Sequence, residues 1–319
     1  MVLIIGSGPI GLAVSIELKK RDIPSIIIER GALVNSIFHY PTNMTFFSTS
    51  DKLEIGNVPF ISHGPKPTRS EALEYYRRVA EHYSLNVRLY EEVTDVEGND
   101  GAFTVTTDKS SYKASKVVLA TGFYGRENRM NIPGEDLPKV THYYDDPHRY
   151  AWQKVLVVGG GNSAADAALE TWHCNAEVSV LVKYDTLKPS IKYWIKPDIE
   201  NRIKEGSIKG YFNSKLLAIR ETEVDIETPE GLITIQNDFV LAMTGYQPHF
   251  DLMEKLGIEL TTDDVKMPVY DTDTLETNRP GLYVAGVVCG GMDTGRLFIE
   301  NSRVHAEQIT RHIEKSEKK

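Results

Sequence analysis

Two copies of one pattern, separated along the chain, predict an α/β protein of two three-layer ββα units, one inserted in the other. The pattern is an apolar strand, a glycine-rich turn, a helix and a second apolar strand. The first copy runs Val2-Leu-Ile-Ile-Gly6-Ser-Gly8-Pro-Ile-Gly11, continues through an apolar helical stretch, and ends at Ser25-Ile-Ile-Ile-Glu29. The second runs Val155-Leu-Val-Val-Gly159-Gly-Gly161-Asn-Ser-Ala164, then an Ala/Leu-rich helix, then Val178-Ser-Val-Leu-Val-Lys183. In such Rossmann-like units the first glycine makes the turn and the second lets a pyrophosphate approach the backbone. The third, which is Ala164 in the second copy, lets helix and strand pack closely. Phosphates would then sit on a helix N-terminus, where unpaired N–H groups and the helix dipole favour negative charge.

The residue closing each copy differs in sign. Glu29 lies 18 positions past Gly11, where a carboxylate accepts hydrogen bonds from ribose hydroxyls and repels a 2′-phosphate. Lys183 lies 19 positions past Ala164, where a cation would bind that phosphate. The chain therefore reads as holding two different nucleotides, one with a free ribose and one with a phosphorylated ribose.

The remaining elements follow in order. Pro67-Thr68-Arg-Ser-Glu71 ahead of an apolar-periodic stretch predicts a helix starting near Thr68 or Ser70. Alternation over Phe103–Thr106, and again over 221–236, predicts a small antiparallel meander on each unit. Lys116-Val-Val-Leu-Ala120-Thr121-Gly122 and Asp238-Phe-Val-Leu-Ala-Met-Thr244-Gly245 read as strands of the same form, bracketing the second fingerprint. These ends set the predicted domains: 1–122 with 245–319, and 123–244 between them. The Pro/Gly-rich Ile132–Pro138 stretch suits a crossing, and His142-Tyr-Tyr-Asp-Asp-Pro-His148 reads as a solvated linker rather than a metal cluster. The tail from Arg296 to Ile313 reads as mostly helical, with a frayed Ser-Glu-Lys-Lys end.

Composition narrows the function. A chain of 319 residues suits two domains. A net charge of −9 argues against nucleic-acid binding, which needs a basic stripe. No apolar run approaches the ~20 residues of a membrane helix, and the first strand begins at Val2, so a cytoplasmic protein is expected. The nine His show no zinc-ligand spacing, and no metal is expected. The two cysteines, Cys174 and Cys289, form no C-x-x-C and read as inert small hydrophobes.

At these residues the chain resembles the two-dinucleotide flavoprotein reductases, which implies FAD in the first site and NADPH in the second. The implied fold is thioredoxin-reductase-like without the C-x-x-C. Lys183 and Lys188 would fall near that family's 2′-phosphate residues. Thr277-Asn-Arg-Pro-Gly281-Leu-Tyr-Val-Ala-Gly286 is similar to its second FAD motif, with Val287 where an acidic residue is usual. A narrower resemblance, to the bacillithiol disulfide reductases, rests on several segments spread over the whole chain. These are Asn35 to Gly56, Ile132-Pro-Gly-Glu-Asp-Leu-Pro-Lys-Val, Lys188-Pro-Ser-Ile-Lys-Tyr-Trp-Ile, Asn237 to Tyr246 and Phe298-Ile-Glu-Asn. It departs at Ile10, where that family carries a loop cysteine. The resemblance implies homo-oligomers (dimer or tetramer).

On this reading FAD meets Gly6, Gly8, Pro9, Ile10, Gly11, Glu29, Arg30, Ser36, Phe47, Ser48, Val93, Ala120, Thr121, Gly122, Gly286, Val287 and Ile299. NADPH meets Gly159, Gly161, Asn162, Ser163, Ala164, Lys183, Lys188, Thr244 and Gly245. No catalytic residue is assigned. His39 and Tyr40 are candidates to face a substrate, and Glu300, Asn301, Arg303 and His305 lie on a helix whose start would point at the flavin. The substrate would be a small-molecule disulfide or another electron acceptor. A flavin monooxygenase, a ferredoxin/flavodoxin–NADP reductase and a non-enzymatic FAD redox sensor remain as alternatives on the same scaffold.

Overall fold

The computed structural model describes residues 1–317. It comprises two compact units. One is built from residues 1–39, 43–126 and 246–317, the other from 40–42 and 127–245. Both follow the same plan.

In the first unit a fully parallel five-stranded sheet has the order Leu282–Val284, Lys116–Leu119, Val2–Ile5, Ser25–Ile28, Val87–Arg88. All four residues of Val2–Ile5 are buried, as expected of a central parallel strand covered on both faces. Leu3 and Ile5 point to one face and pack with Val93, Val96, Phe103 and Val105 of the antiparallel meander Val93–Glu97, Phe103–Thr107, Ser111–Ala114.

The second sheet runs Lys209–Tyr211, Glu177–Leu181, Lys154–Val158, Phe239–Ala242, Val140–Thr141, again all parallel and again with the strand that leads into the glycine turn at its centre. Its two faces separate along a period of two. Val155 and Val157 pack with Ala164, Ala165, Ala167 and Ala168 of the helix Asn162–His173. Leu156 and Val158 pack with Leu216, Ile219, Val224 and Ile226 of the meander Lys215–Ile219, Glu223–Thr228, Gly231–Gln236. Helix, sheet and meander make the three layers, and small alanines let the helix lie close to the strand.

One expectation needs correction. The stretch around His142–His148 is not a solvated linker. It contributes the strand Val140–Thr141 and the short 3₁₀ helix Pro147–Tyr150, and it buries Tyr144 and Tyr150. Tyr144 donates to Glu170 Oε2 at 2.6 Å, and His142 Nε2 lies 3.2 Å from Glu135 Oε1. The apolar rings in this polar-looking run decided its fate, because burying them outweighs exposing them. The tail is mostly helical, as expected, but in two pieces. It forms Ile299–Ser302 and His305–Glu317, with the break where Arg303 donates to the carbonyls of Asp51 and Glu54 at 3.0 and 3.1 Å. The last two residues of the tail expected to fray, Lys318 and Lys319, lie outside the described residues.

The helix Arg69–His82 starts as its sequence indicates. Thr68 caps it: its Oγ1 accepts the Glu71 N–H at 3.3 Å, while Glu71 Oε2 accepts the Thr68 N–H at 2.7 Å. Ala72, Tyr75, Tyr76 and Val79 form its buried stripe. Thr68→Ala removes half of this reciprocal cap. It should destabilise the protein by about 1 kcal/mol, measured as a lower urea midpoint with an unchanged m-value.

Candidate functional site

Two of the longer helices share one kind of start. The helix Pro9–Lys19 starts at Gly8 and the helix Asn162–His173 at Gly161. Neither start has a side-chain cap, and neither first turn carries an acidic residue. Their first-turn N–H groups therefore await an acceptor from outside the helix. Both starts lie at the carboxyl end of the central strand of their sheet, where open α/β sheets place their ligands.

Each glycine in the first turn has its own steric reason. Gly6 has φ +108°, and a Cβ there would sit 2.5 Å from the Ala120 carbonyl oxygen. At Gly11 a Cβ would lie 2.0 Å from the Gly6 oxygen, so helix and turn touch backbone to backbone. Around Gly8 nothing lies within 4 Å of that position. Beside this open face, the Thr121 Oγ1 is buried with no hydrogen-bond partner. A buried hydroxyl without a partner costs free energy unless something else supplies one.

The second turn repeats the geometry. Gly159 has φ +143°, and a Cβ there would lie 2.4 Å from the Met243 oxygen and 3.3 Å from Ala164 Cβ, so the turn demands glycine at 159 and a small side chain opposite it. At Gly161 only the Lys188 Cδ comes near, at 3.9 Å. The Lys188 N–H donates to the Gly160 oxygen at 2.8 Å. Asn162 Oδ1 accepts the Lys192 N–H at 3.0 Å, and its Nδ2 donates to the Ser190 oxygen at 3.2 Å. Residues 188–192 are thus stitched to the turn, and Lys188 is carried to the open start of the helix. Lys183 and Lys188 are exposed and enter no ion pair among the described residues. Two ammonium groups are left available for an anion.

The structure distributes the other expected residues as follows. Pro9 and Ile10 open the first helix, with Ile10 buried. The Glu29 carboxylate is already engaged: Oε2 accepts from the Ser7 N–H (2.9 Å) and the Ser7 hydroxyl (3.2 Å), and Oε1 accepts from the Gly31 N–H (2.9 Å). With about four acceptor sites on a carboxylate, one remains, on Oε1. Glu29 is a strut of the glycine turn as well as a ribose acceptor candidate, and Ser7 is a residue that spacing alone did not flag. Arg30 holds the Gly125 oxygen at 2.9 Å. Ser36 and Ser48 are half-buried, and Phe47 is exposed. The Val93 side chain is committed to the core, leaving only its backbone. Gly122 faces Val287 Cγ2, 3.8 Å from where its own Cβ would be. Ile299 begins the short helix Ile299–Ser302. Ser163 is exposed on the first turn of the second helix. Thr244 Oγ1 donates to the Asn128 oxygen at 2.6 Å, and the Asn128 N–H donates to Gly245 at 2.9 Å.

His39 is exposed, and its carbonyl accepts from the Tyr124 hydroxyl at 3.2 Å. Cys174 is half-buried, and Cys289 is fully buried, with burial pushing its thiol up to about 12. A thiol held that high is not a nucleophile at neutral pH. Beside it, His305 Nδ1 accepts the Gly286 N–H at 3.1 Å, with the Cys289 Sγ 3.9 Å away. Nothing in its spacing singled out this contact.

Two uncapped helix starts over two parallel sheets, one closed by a carboxylate and one by lysines, define a two-dinucleotide reductase scaffold. The chain belongs to the pyridine nucleotide-disulphide oxidoreductases, whose family model matches residues 3–286, and within them to the bacillithiol disulfide reductase family. Bacilliredoxin reductase Bdr of Bacillus subtilis (strain 168) is 44% identical over 317 residues, 99% of this chain and 98% of that protein. Solved structures of bacillithiol disulfide reductase Bdr (YpdA) from Staphylococcus aureus and Bacillus cereus match with TM-scores of 0.95 and 0.96. Each is 42% identical to this chain and covers 99% of it, with 98% and 99% of their own chains matched.

Burial lowers His305 from 6.5 to about 4. Between those values the unfolded chain takes a proton that the fold refuses, so stability is full above the unfolded value and is lost as pH falls toward 4. Through this group the protein should lose about 2 kcal/mol between pH 7 and pH 5. His305→Asn should lose correspondingly less over the same interval, as urea unfolding at the two pH values would register.

Proposed function

We propose that the chain is an FAD-containing, NADPH-using oxidoreductase that reduces a low-molecular-weight disulfide of the bacillithiol type. FAD belongs to the first unit and NADPH to the second. The observation that carries this reading is the pair of uncapped helix starts, closed by Glu29 in one unit and by Lys183 and Lys188 in the other. The residues fit both cofactors. Gly8 leaves room for a pyrophosphate, and Thr121 offers a hydroxyl without a partner. Gly161 is open, and the two lysines supply a binding place for a 2′-phosphate that NADH lacks. The protein's contribution is to hold the two dinucleotides in place, since the redox chemistry is the cofactor's.

FAD supplies the two-electron relay between nicotinamide and disulfide. Overall, NADPH is oxidised, one S–S bond breaks, one proton is taken up and two thiols leave. With no C-x-x-C, and with Cys289 buried and its thiol pushed up, the chain has no internal dithiol pair to carry the electrons. No helix among the described residues is long and apolar enough to cross a membrane. The fuller form of the proposal is a homo-oligomer working in the cytoplasm, a reducing compartment in which thiol products persist.

The Bacillus subtilis relative is a bacilliredoxin reductase, which favours a second acceptor, so a protein disulfide stands as the other reading. Anaerobic reduction of the bound flavin by NADPH, followed by reoxidation with bacillithiol disulfide, oxidised bacilliredoxin, ferredoxin and a quinone, separates the possibilities. Rapid reoxidation by bacillithiol disulfide is expected. Rapid reoxidation by ferredoxin alone would overturn the disulfide reading.

Replacing Lys183 and Lys188 together by Ala should raise the NADPH dissociation constant by at least tenfold and leave that for NADH within about twofold. Contacts to a charged group are worth roughly 1.5–3 kcal/mol each. Stopped-flow flavin reduction at varied nucleotide concentration gives both constants.

A further inference from the structure

His305 is the first residue of the last helix and is buried. Its Nδ1 accepts the N–H of Gly286, the residue that opens the 3₁₀ turn Gly286–Gly290 after the strand Leu282–Val284. A donor facing Nδ1 requires that nitrogen to be unprotonated, so the ring proton sits on Nε2 and the imidazole is neutral. The same glycine is held from a second side. A Cβ on Gly286 would meet Ile10 Cγ1 at 3.1 Å and Ile10 Cβ at 3.2 Å, so the start of the first helix packs directly on its backbone. Val287, next along, carries no polar atom but lies against Gly122, beside the buried hydroxyl of Thr121. The turn therefore forms one wall of the open face at the first glycine turn, and a hydrogen bond from the last helix sets where that wall stands.

We propose that His305 is a positioning residue of the flavin site, whose neutral Nδ1 holds the Gly286 N–H and so fixes the Gly286–Gly290 turn against which FAD binds. This rests on the reading that FAD occupies the first unit. Removing the acceptor leaves a buried N–H unpaired and frees the turn to tilt away from Gly122, and the environment of the bound flavin changes with it. The role is specific to one ring atom. The amide oxygen of Asn can stand where Nδ1 stands, whereas that of Gln, one methylene further out, stands where Nε2 does.

The test uses the purified holoprotein and its deflavinated form, with FAD added back. The readouts are the FAD dissociation constant, from quenching of flavin fluorescence, and the visible absorption spectrum of the bound flavin. His305→Leu should weaken FAD binding by roughly ten- to a hundredfold and shift the flavin bands. His305→Asn should stay within about threefold of wild type with a near-native spectrum, and His305→Gln should resemble the Leu variant. Should His305→Leu fail to fold, the contrast between Asn and Gln carries the test alone. Wild-type affinity and spectrum in either the Leu or the Gln variant would overturn the proposal, as would an Asn variant as weak as the Gln one. A wild-type protein that neither retains nor takes up FAD overturns the reading of the first unit, and the role of His305 with it.

Discussion

The unpaired N–H groups at the starts of Pro9–Lys19 and Asn162–His173 are the constraint around which both units are arranged. A helix elsewhere in this protein resolves the same problem internally, as Thr68 and Glu71 do for Arg69–His82. At the two glycine turns a self-made cap would occupy the place of a ligand. The chain instead puts glycine at the cap position and keeps carboxylates out of the first turn, which leaves partial positive charge exposed to an anion. The cost is a helix start that is satisfied only by water or by ligand. The surrounding sheet sustains it: each central strand is fully buried past its first residue and paired on both sides, so the turn is carried by the most rigid part of the unit.

What the sequence made legible follows from how local each requirement is. The glycines at 6, 11 and 159 are demanded by backbone atoms within the same βαβ unit or at its neighbouring strand end, so their spacing carries the fold directly. The Thr68–Glu71 cap and the alternation in Phe103–Thr107 are likewise short-range. The strand Val140–Thr141 was hidden because it is two residues long and sits among polar neighbours; its place is set by pairing with Val240 and Leu241, a hundred positions away. The break in the tail helix was equally invisible, since it falls where Arg303 reaches carbonyls on a different part of the chain.

The same distinction applies at the site. Spacing from Gly11 marked Glu29 as a carboxylate in the right place, but not that three of its acceptor positions are spent on Ser7 and Gly31. Those bonds tie the second strand's end to the glycine turn and orient the carboxylate before any nucleotide arrives. Preorganisation of this kind lowers what binding must later supply. In the second unit Asn162 does the analogous work, bonding Ser190 and Lys192 and thereby setting where Lys188 can reach. The side chains closest to the glycines serve as struts, and the charges that would discriminate one nucleotide from another stand one step further out.

Ile10 is the clearest departure from the family that the sequence resembles, which carries a cysteine in that loop. Its surroundings say what the exchange alters. The side chain is buried and directed at Gly286, where an added Cβ would come within 3.1 Å of it. A thiol at this position would sit in the first turn of the helix, whose unpaired N–H groups favour the thiolate while burial opposes it. Isoleucine fills the same space with more apolar surface, which favours the packing of helix start on turn by roughly 25 cal/mol for each Å² removed from water. The exchange thus reads first as a change in how tightly Gly286 is held. On this geometry the position packs the start of the first helix onto the Gly286 turn, and isoleucine supplies that packing without a sulfur.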